Sequence, residues 1–506
     1  MSRGIVAAGH QATAAAAAEV LRAGGNAFDA AIAGLFAACV AEPVLASPGG
    51  GGFLMAHDPH AGGDLLYDFF VDTPRAKRPA PEQHFFAVEV DFGPATQEFH
   101  IGLGAAATPG FVPGLFSVHR AHGRLPMADL LAPAIAAARD GVAVNAFQAY
   151  LFAIAAPIYT REPQATAIFA PDGQPLREGD RLVNSALAET FHLLAREGEN
   201  LFRDGAVGRE MVRQSRELGG HIGQQDLVGY MVEPRTPLVS HHKGASLFLN
   251  PAPAASGPLI AFALRLVENL TGDRAPGIVE LAEAMSATNT VRRTHGHAPD
   301  RLLDSDLIAA HLASLTGHAE AYRGTTHISV VDAEGRAASA TVSNGEGNGV
   351  LVGPFGFMLN NMLGEEDLNP DGFGLWQPGT RMSSMMAPTI VRTADGRLIA
   401  LGSGGSNRIR TAILQVVINA IDRGMSLADA VVAPRLHVEK CGTVSYEAQF
   451  ETADISALLA RFADARAWPE PNMFFGGVHA VERDRHGLMS GIGDPRRAGV
   501  VLAVGA

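Results

Sequence analysis

The chain reads as an α+β protein in which helices precede and follow antiparallel strands, and three observations point there. Two helical patterns follow one another within the first forty residues. After Gly324 the character changes: hairpin signals appear at Ala333-Glu334-Gly335 and Asp395-Gly396, each flanked by β-type runs (327–331, 337–342, 389–392, 397–401). A long helical pattern at Arg410–Asp422 then separates these strands from further β-type segments at Gly477–Arg483 and Val500–Val504. Sheets covered by helices accommodate this order, and no internal repeat is evident.

Taken in order, residues 12–23 read as a helix stopped by Gly24-Gly25, a glycine C-cap. Asn26 caps a second helix from Ala27 to about Val40, apolar on most faces and so expected to be buried, and Pro43 ends it. Gly49-Gly50-Gly51-Gly52 is followed by strands at Phe53–Ala56 and Asp64–Phe70. Residues 85–103 alternate weakly and read as strand or loop. From Met127 to Asp140 the pattern is helical and stays mostly so to about Glu217, with breaks at Pro157, Pro171 and Gly179. A strand at Ala245–Leu249 leads to helices that run to about His311.

A chain of 506 residues with 47% hydrophobic content can bury a large core. Glycine and proline, 57 and 30 residues, exceed average usage and predict many tight turns. The net charge of −13 and the lack of a long Lys/Arg run argue against a nucleic-acid partner. Of two cysteines, Cys39 sits in an apolar helical pattern, so neither a disulfide framework nor a cysteine zinc site is expected. There is no basic start with an apolar core and cleavage site, and no long apolar span, so the chain reads as cytoplasmic, without a membrane partner.

The glycine run Gly49–Gly52 lacks the Lys-Ser/Thr of a phosphate loop and reads as a turn needing positive φ or close backbone approach. His295-Gly296-His297 and His241-His242 have no carboxylate or cysteine at a diagnostic offset; they read as surface loop, and no metal or cofactor is expected. Thr325-Thr326-His327 opens a β-type run. A threonine hydroxyl is a poor nucleophile until a base takes its proton, and one such base is the threonine's own α-amino group. That group exists only if the chain is cut just before Thr325.

The residues that surround this threonine resemble the γ-glutamyltransferase family of N-terminal-nucleophile hydrolases over nearly the whole chain. Leu21–Ala31 is similar to the family's first signature, Gly49–Phe53 to its glycine run and Ala106–Leu115 to its AVPGxVxGL segment. Thr325–Asp332 matches TTHxSVVD almost letter for letter. Leu359-Asn360-Asn361, Ser384 with Pro388-Thr389, Gly402–Arg408, Ala433-Pro434-Arg435 and Asp494-Pro495-Arg496 follow in order. The resemblance implies a four-layer αββα sandwich made as a precursor and cut between Gly324 and Thr325. A large part, 1–324, and a small part, 325–506, would stay associated as one domain. Thr325 would be the nucleophile and its new α-amine the base, working on a small-molecule amide. Ser343 falls where the family has a threonine that hydrogen-bonds the nucleophile. Asn344 falls at a substrate asparagine, and Gly405 and Ser406 at the glycine pair whose N–H groups form the oxyanion hole. Gly404 alongside leaves the register open by one residue.

Departures from the family pattern gather on one part of the substrate. The arginine that grips the glutamyl α-carboxylate falls at Phe70, in Asp68-Phe69-Phe70-Val71, and the family's serine pair falls at Ser384 and Met385. The aspartate for the α-amino group lies near Glu365, among Leu363-Gly364-Glu365-Glu366-Asp367. Exchanging a bidentate arginine for phenylalanine removes a charge-assisted pair and installs an apolar wall. The sequence therefore predicts an amidohydrolase or acyltransferase whose acyl group lacks the α-amino-acid head, such as a dicarboxylic or otherwise modified one. A true γ-glutamyl hydrolase or transpeptidase acting on glutathione-like compounds, with Arg75 or Arg381 as substitute, is the alternative. A third reading is an unprocessed, non-catalytic scaffold.

Overall fold

The computed structural model describes residues 3–91, 96–295, 324–369, 371–439 and 442–505. Strand β1 (Gly4–Ala8) leads into helix α1 (Gln11–Arg22), which ends as the glycine pair requires: the Gly24 N–H bonds the Leu21 carbonyl at 3.2 Å and the Gly25 N–H the Val20 carbonyl at 3.0 Å, with Gly24 at φ +98°. Helix α2 (Ala27–Ala41) is buried along its whole length. Its Asn26 cap accepts from the Phe28 and Asp29 N–H groups while the Asp29 carboxylate accepts from the Asn26 N–H, a reciprocal capping box.

Two antiparallel sheets follow from the strand patterns. One contains β1, β2 (Gly51–Asp58), β3 (Gly63–Phe69), β4 (Glu233–Arg235), β7 (Thr326–Asp332), β8 (Ala337–Ser343) and β13 (Val500–Val504), in the order β13-β1-β7-β8-β2-β3-β4. The other contains β5 (Leu238–His242), β6 (Ala245–Leu249), β9 (Thr389–Arg392), β10 (Leu398–Gly404), β11 (Gly477–Arg483) and β12 (Met489–Ile492), in the order β12-β11-β10-β9-β6-β5. Alternation assigns each strand's two faces. Ile5, Phe53, Met55 and Val331 join a core shared with the second sheet and with helices Ser256–Thr271, Ile278–His295 and Arg408–Ile421. Val6, Leu54, Ile328 and Val330 face α1, α2 and helices Phe111–His122 and Met127–Asp140. Strand β7 touches β10 and β11 across the first core.

The α+β class is borne out, and the hairpins at 333–335 and 395–396 stand where turn chemistry put them. Residues 85–103 resolve into a two-stranded hairpin, Phe86–Asp91 with Thr96–Ile101. The expected helix to His311 is described only as far as His295, and the rest of that segment, with Gly296-His297, lies outside the described residues. His241-His242 corrects the surface-loop reading. Both belong to β5, and the buried His242 lies 2.7 Å from Asp422 and 2.9 Å from Glu268. Alternation points one imidazole out and one in, which loop-like spacing cannot reveal. Cys39 is buried in α2, and Cys441 lies outside the described residues. Among the described residues no helix is long and apolar enough to cross a membrane.

Candidate active site

The run Gly49–Gly52 brings the start of β2 against the end of β8. A Cβ on Gly50 would stand 2.4 Å from the Ser343 carbonyl oxygen and one on Gly52 2.4 Å from that of Thr341. Close approach is thus what these glycines supply; none of the four has positive φ. Ser343, the last residue of β8, is thereby set beside the Gly324–Thr325 peptide, which immediately precedes β7.

The backbone of Gly324 and Thr325 is held at three points. The Ser343 hydroxyl donates to the Gly324 carbonyl at 2.7 Å and accepts from the Gly345 N–H at 3.1 Å. The Gly324 N–H donates to Glu346 Oε1 at 3.1 Å, and Arg497 Nη1 donates to the Thr325 carbonyl at 3.2 Å. Chain continuity holds the Thr325 hydroxyl oxygen within four covalent bonds of the Gly324 carbonyl carbon, so its attack would close a five-membered ring. A hydroxyl donor on a carbonyl polarises it and would stabilise an oxyanion formed there.

Behind the peptide, the α2 cap residue Glu42 is fully buried and accepts from Thr326 Oγ1 at 2.7 Å and from Thr13 Oγ1 at 2.6 Å. Burial raises its carboxyl pKa, against the lowering effect of those two hydroxyls and of Arg497. Arg497 is pulled down to about 10 by burial, with the Arg408 charge acting the same way and Asp494 and Glu42 opposing, and it stays cationic at neutral pH. Neither Glu42 nor Arg497 carries a sequence signal of its own. Arg497 directly follows the matched Asp494-Pro495-Arg496, where the buried Arg435–Asp494 and Arg496–Glu447 pairs, at 2.7 and 2.5 Å, fix the segment's path.

At the end of β10 the chain turns sharply. A Cβ on Gly404 would stand 2.2 Å from the Thr325 carbonyl oxygen. Gly405 has φ +117° and Ser406 φ +51°. A non-glycine residue in the left-handed region costs on the order of 1 kcal/mol and tends to sit at functional sites. Among the described residues neither the Gly405 nor the Ser406 N–H has a partner, so two backbone donors are available next to Thr325.

Gly324, Thr325, Ser343, Ser384, Met385, Glu365, Phe70 and Ser406 all line one cavity. Gly405 lies on the far side of the same ridge, and Asn344 is buried outside the lining. Asp367 and Met362 line it without having been singled out; Asp367 accepts from Asn407 Nδ2 at 2.7 Å. Phe70 is fully buried and stacks on Phe53 at 5.6 Å between centroids. Neither substitute arginine reaches the cavity. Arg381 spends its guanidinium on Asp68 Oδ1 at 2.5 Å, Asp72 Oδ1 at 2.6 Å and the Met231 carbonyl at 2.7 Å. Arg75 is half-exposed, facing Asp226 at 4.0 Å and the Gly229 carbonyl.

A carbonyl held against a hydroxyl, with two backbone N–H donors beside it, is equipment for acyl transfer, and the sequence relatives are enzymes. Residues 13–504 match the gamma-glutamyltranspeptidase family, and the chain belongs to it, as an enzyme of amide hydrolysis or acyl transfer. It is 32% identical to the acylase ACY 1 proenzyme of Pseudomonas sp. (strain SE83), over 99% of this chain and 94% of that protein. It is 30% identical to the glutathione hydrolase proenzyme of Escherichia coli (strain K12), over 83% and 78%. Among solved structures, a cephalosporin acylase from Bacillus halodurans superposes with a TM-score of 0.86 at 23% identity, covering 99% of this chain and 96% of that one, a likeness of fold.

Proposed function

We propose that the chain cuts itself between Gly324 and Thr325 and then works as an amidohydrolase or acyltransferase whose acyl group lacks the α-amino-acid head. In the first step Thr325 Oγ attacks the Gly324 carbonyl carbon while Ser343 donates to its oxygen. The C–N bond breaks, the acyl group shifts to oxygen, and water hydrolyses the ester. The parts 1–324 and 325–506 remain one body, whose order of helices, sheet, sheet and helices supports an αββα sandwich of the N-terminal-nucleophile type.

In turnover the free α-amine of Thr325 takes the hydroxyl proton as Oγ attacks the substrate carbonyl. The N–H groups of Gly405 and Ser406 receive the oxyanion. The proton passes to the departing amine as the amide C–N bond breaks, and water or a second amine then releases the acyl group from Thr325.

The observation that carries the choice of acyl group is the wall of the Thr325 cavity. Phe70 and Met385, which by the resemblance fall at the family's carboxylate-binding positions, line that cavity, and among the described residues no guanidinium does. A buried carboxylate without a partner costs several kcal/mol, in order of magnitude. Four p-nitroanilides form a closed test set: γ-glutamyl, glutaryl, 4-aminobutyryl and butyryl, which keep both, one or neither charge of the glutamyl head. At least one of the three lacking a charge should exceed γ-glutamyl in kcat/KM by about tenfold or more. If γ-glutamyl is the best of the four, the chain is instead a glutathione-type γ-glutamyl hydrolase or transpeptidase. That second reading draws on the likeness to the E. coli glutathione hydrolase proenzyme.

A further inference from the structure

A second cavity opens on the other side of the Gly405-Ser406 ridge. Gly405 lines it, whereas Ser406 lines the Thr325 cavity; Gly324 lines both. The scissile peptide and the two free N–H donors therefore stand at the junction of two separate spaces. Most of the walls of the second space are apolar; its three charged residues, Glu346, Arg408 and Arg497, are engaged with the Gly324 N–H, with Glu439 and with the Thr325 carbonyl. Phe99 comes from the hairpin Phe86–Asp91/Thr96–Ile101, Leu151 and Ile154 from helix Ala146–Ile154, Ile158 from Ala156–Tyr159, Leu45 from the loop after α2, and Phe474 from Met473–Phe475.

We infer that this cavity binds the amine half of the substrate and selects a bulky apolar amine, aromatic or branched. The inference rests on Thr325 as nucleophile and on the Gly405-Ser406 ridge as oxyanion site. A planar amide whose oxygen points at that ridge and whose carbon faces Thr325 sends its two substituents in opposite directions. The side holding Phe70, Ser384 and Met385 takes the acyl chain, which leaves the apolar side for the amine. Departure of Gly324 after self-cleavage removes the residue common to both linings and joins them across Thr325. An ammonia or methylamine leaving group would touch few of these apolar walls, while a phenyl-bearing amine would bury its ring against Leu151, Ile154 and Phe474. Even one methylene in an apolar pocket changes kcat/KM by about tenfold or more.

The test holds the acyl group fixed, at the best of the set above, and varies the amine among methylamine, isobutylamine and 2-phenylethylamine, whose similar basicity keeps leaving-group chemistry nearly constant. With the processed wild-type enzyme, the 2-phenylethylamide should exceed the methylamide in kcat/KM by at least about tenfold, mainly through KM. Ile154→Asp, at a half-buried position, should bring that ratio toward one, and Phe474→Ala should lower it. A ratio near one in the wild type, or a ratio unmoved by both variants, overturns the inference while leaving the acyl-transfer reading intact. If no amide is turned over, calorimetry with the neutral probe N-(2-phenylethyl)acetamide decides separately. Binding that Ile154→Asp abolishes keeps the amine site and sinks the catalytic reading; absence of binding sinks the site.

Discussion

At the residue scale the Ser343 hydroxyl is the side-chain group that hydrogen-bonds the Gly324 carbonyl, the one proposed to be cut. Its 2.7 Å bond to the Gly324 oxygen is a polarising contact, and the Gly345 N–H it accepts fixes its orientation. Losing one oxyanion donor costs about 10²–10³-fold in rate. Ser343→Ala should therefore slow conversion of the 52.9 kDa chain to its two fragments by about that factor, followed on a denaturing gel, whereas Ser343→Thr should retain most of it. Equal rates for Ala and wild type would remove Ser343 from self-cleavage. Thr325→Ala should leave a single band, and splitting of that variant would end the mechanism altogether.

At the element scale, strands β11 and Leu436–Val438 each bury an imidazole. Burial lowers His479 and His437 from 6.5 to about 4, and His479 Nδ1 accepts the Asp494 N–H at 3.2 Å, which a protonated ring cannot do. In the unfolded chain both rings return to the ordinary histidine value, so between about pH 6.5 and 4 the unfolded state binds more protons. Stability then falls as pH drops through that window, by on the order of 3 kcal/mol for each ring once below it. Glu42, whose carboxyl burial raises, acts in the opposite sense and offsets part of the loss. The urea midpoint should be clearly lower at pH 5 than at pH 7. A flat profile would mean that these rings are already solvated or charged in the folded state.

Across the whole molecule, the proposed cut after Gly324 would not divide the fold. In the seven-stranded sheet β13, β7 and β8 come from the residues after the cut, whereas β1, β2, β3 and β4 come from those before it, and β1 lies between β13 and β7. In the six-stranded sheet β6 pairs with β9 across the same divide. Separating the parts would break strand pairs in both sheets and open a core that runs through them. The two fragments should co-elute on size exclusion in native buffer and separate only at denaturant concentrations that unfold the chain. Separate elution without denaturant would contradict this interleaving.

The glycine C-cap at Gly24-Gly25, the Asn26 cap and the two hairpins were legible because each is a local rule with a local signal. The Thr325 run was legible as chemistry only through its likeness to a known family, since two threonines at a strand start are otherwise ordinary. His242 was misread because its partners Asp422 and Glu268 are distant in sequence, and Arg497 and Glu42 passed unnoticed for the same reason. By itself the sequence determined the α+β class, and through its resemblance to a family it named Thr325 as the candidate nucleophile and Phe70 as the residue at the family's arginine position. Only the tertiary structure decided that Arg381 is held by Asp68 and Asp72, that Ser343 meets the Gly324 carbonyl, and that two cavities meet at the Gly405-Ser406 ridge. Strand pairing and close packing bring those residues together across hundreds of positions, and no local propensity encodes such distances.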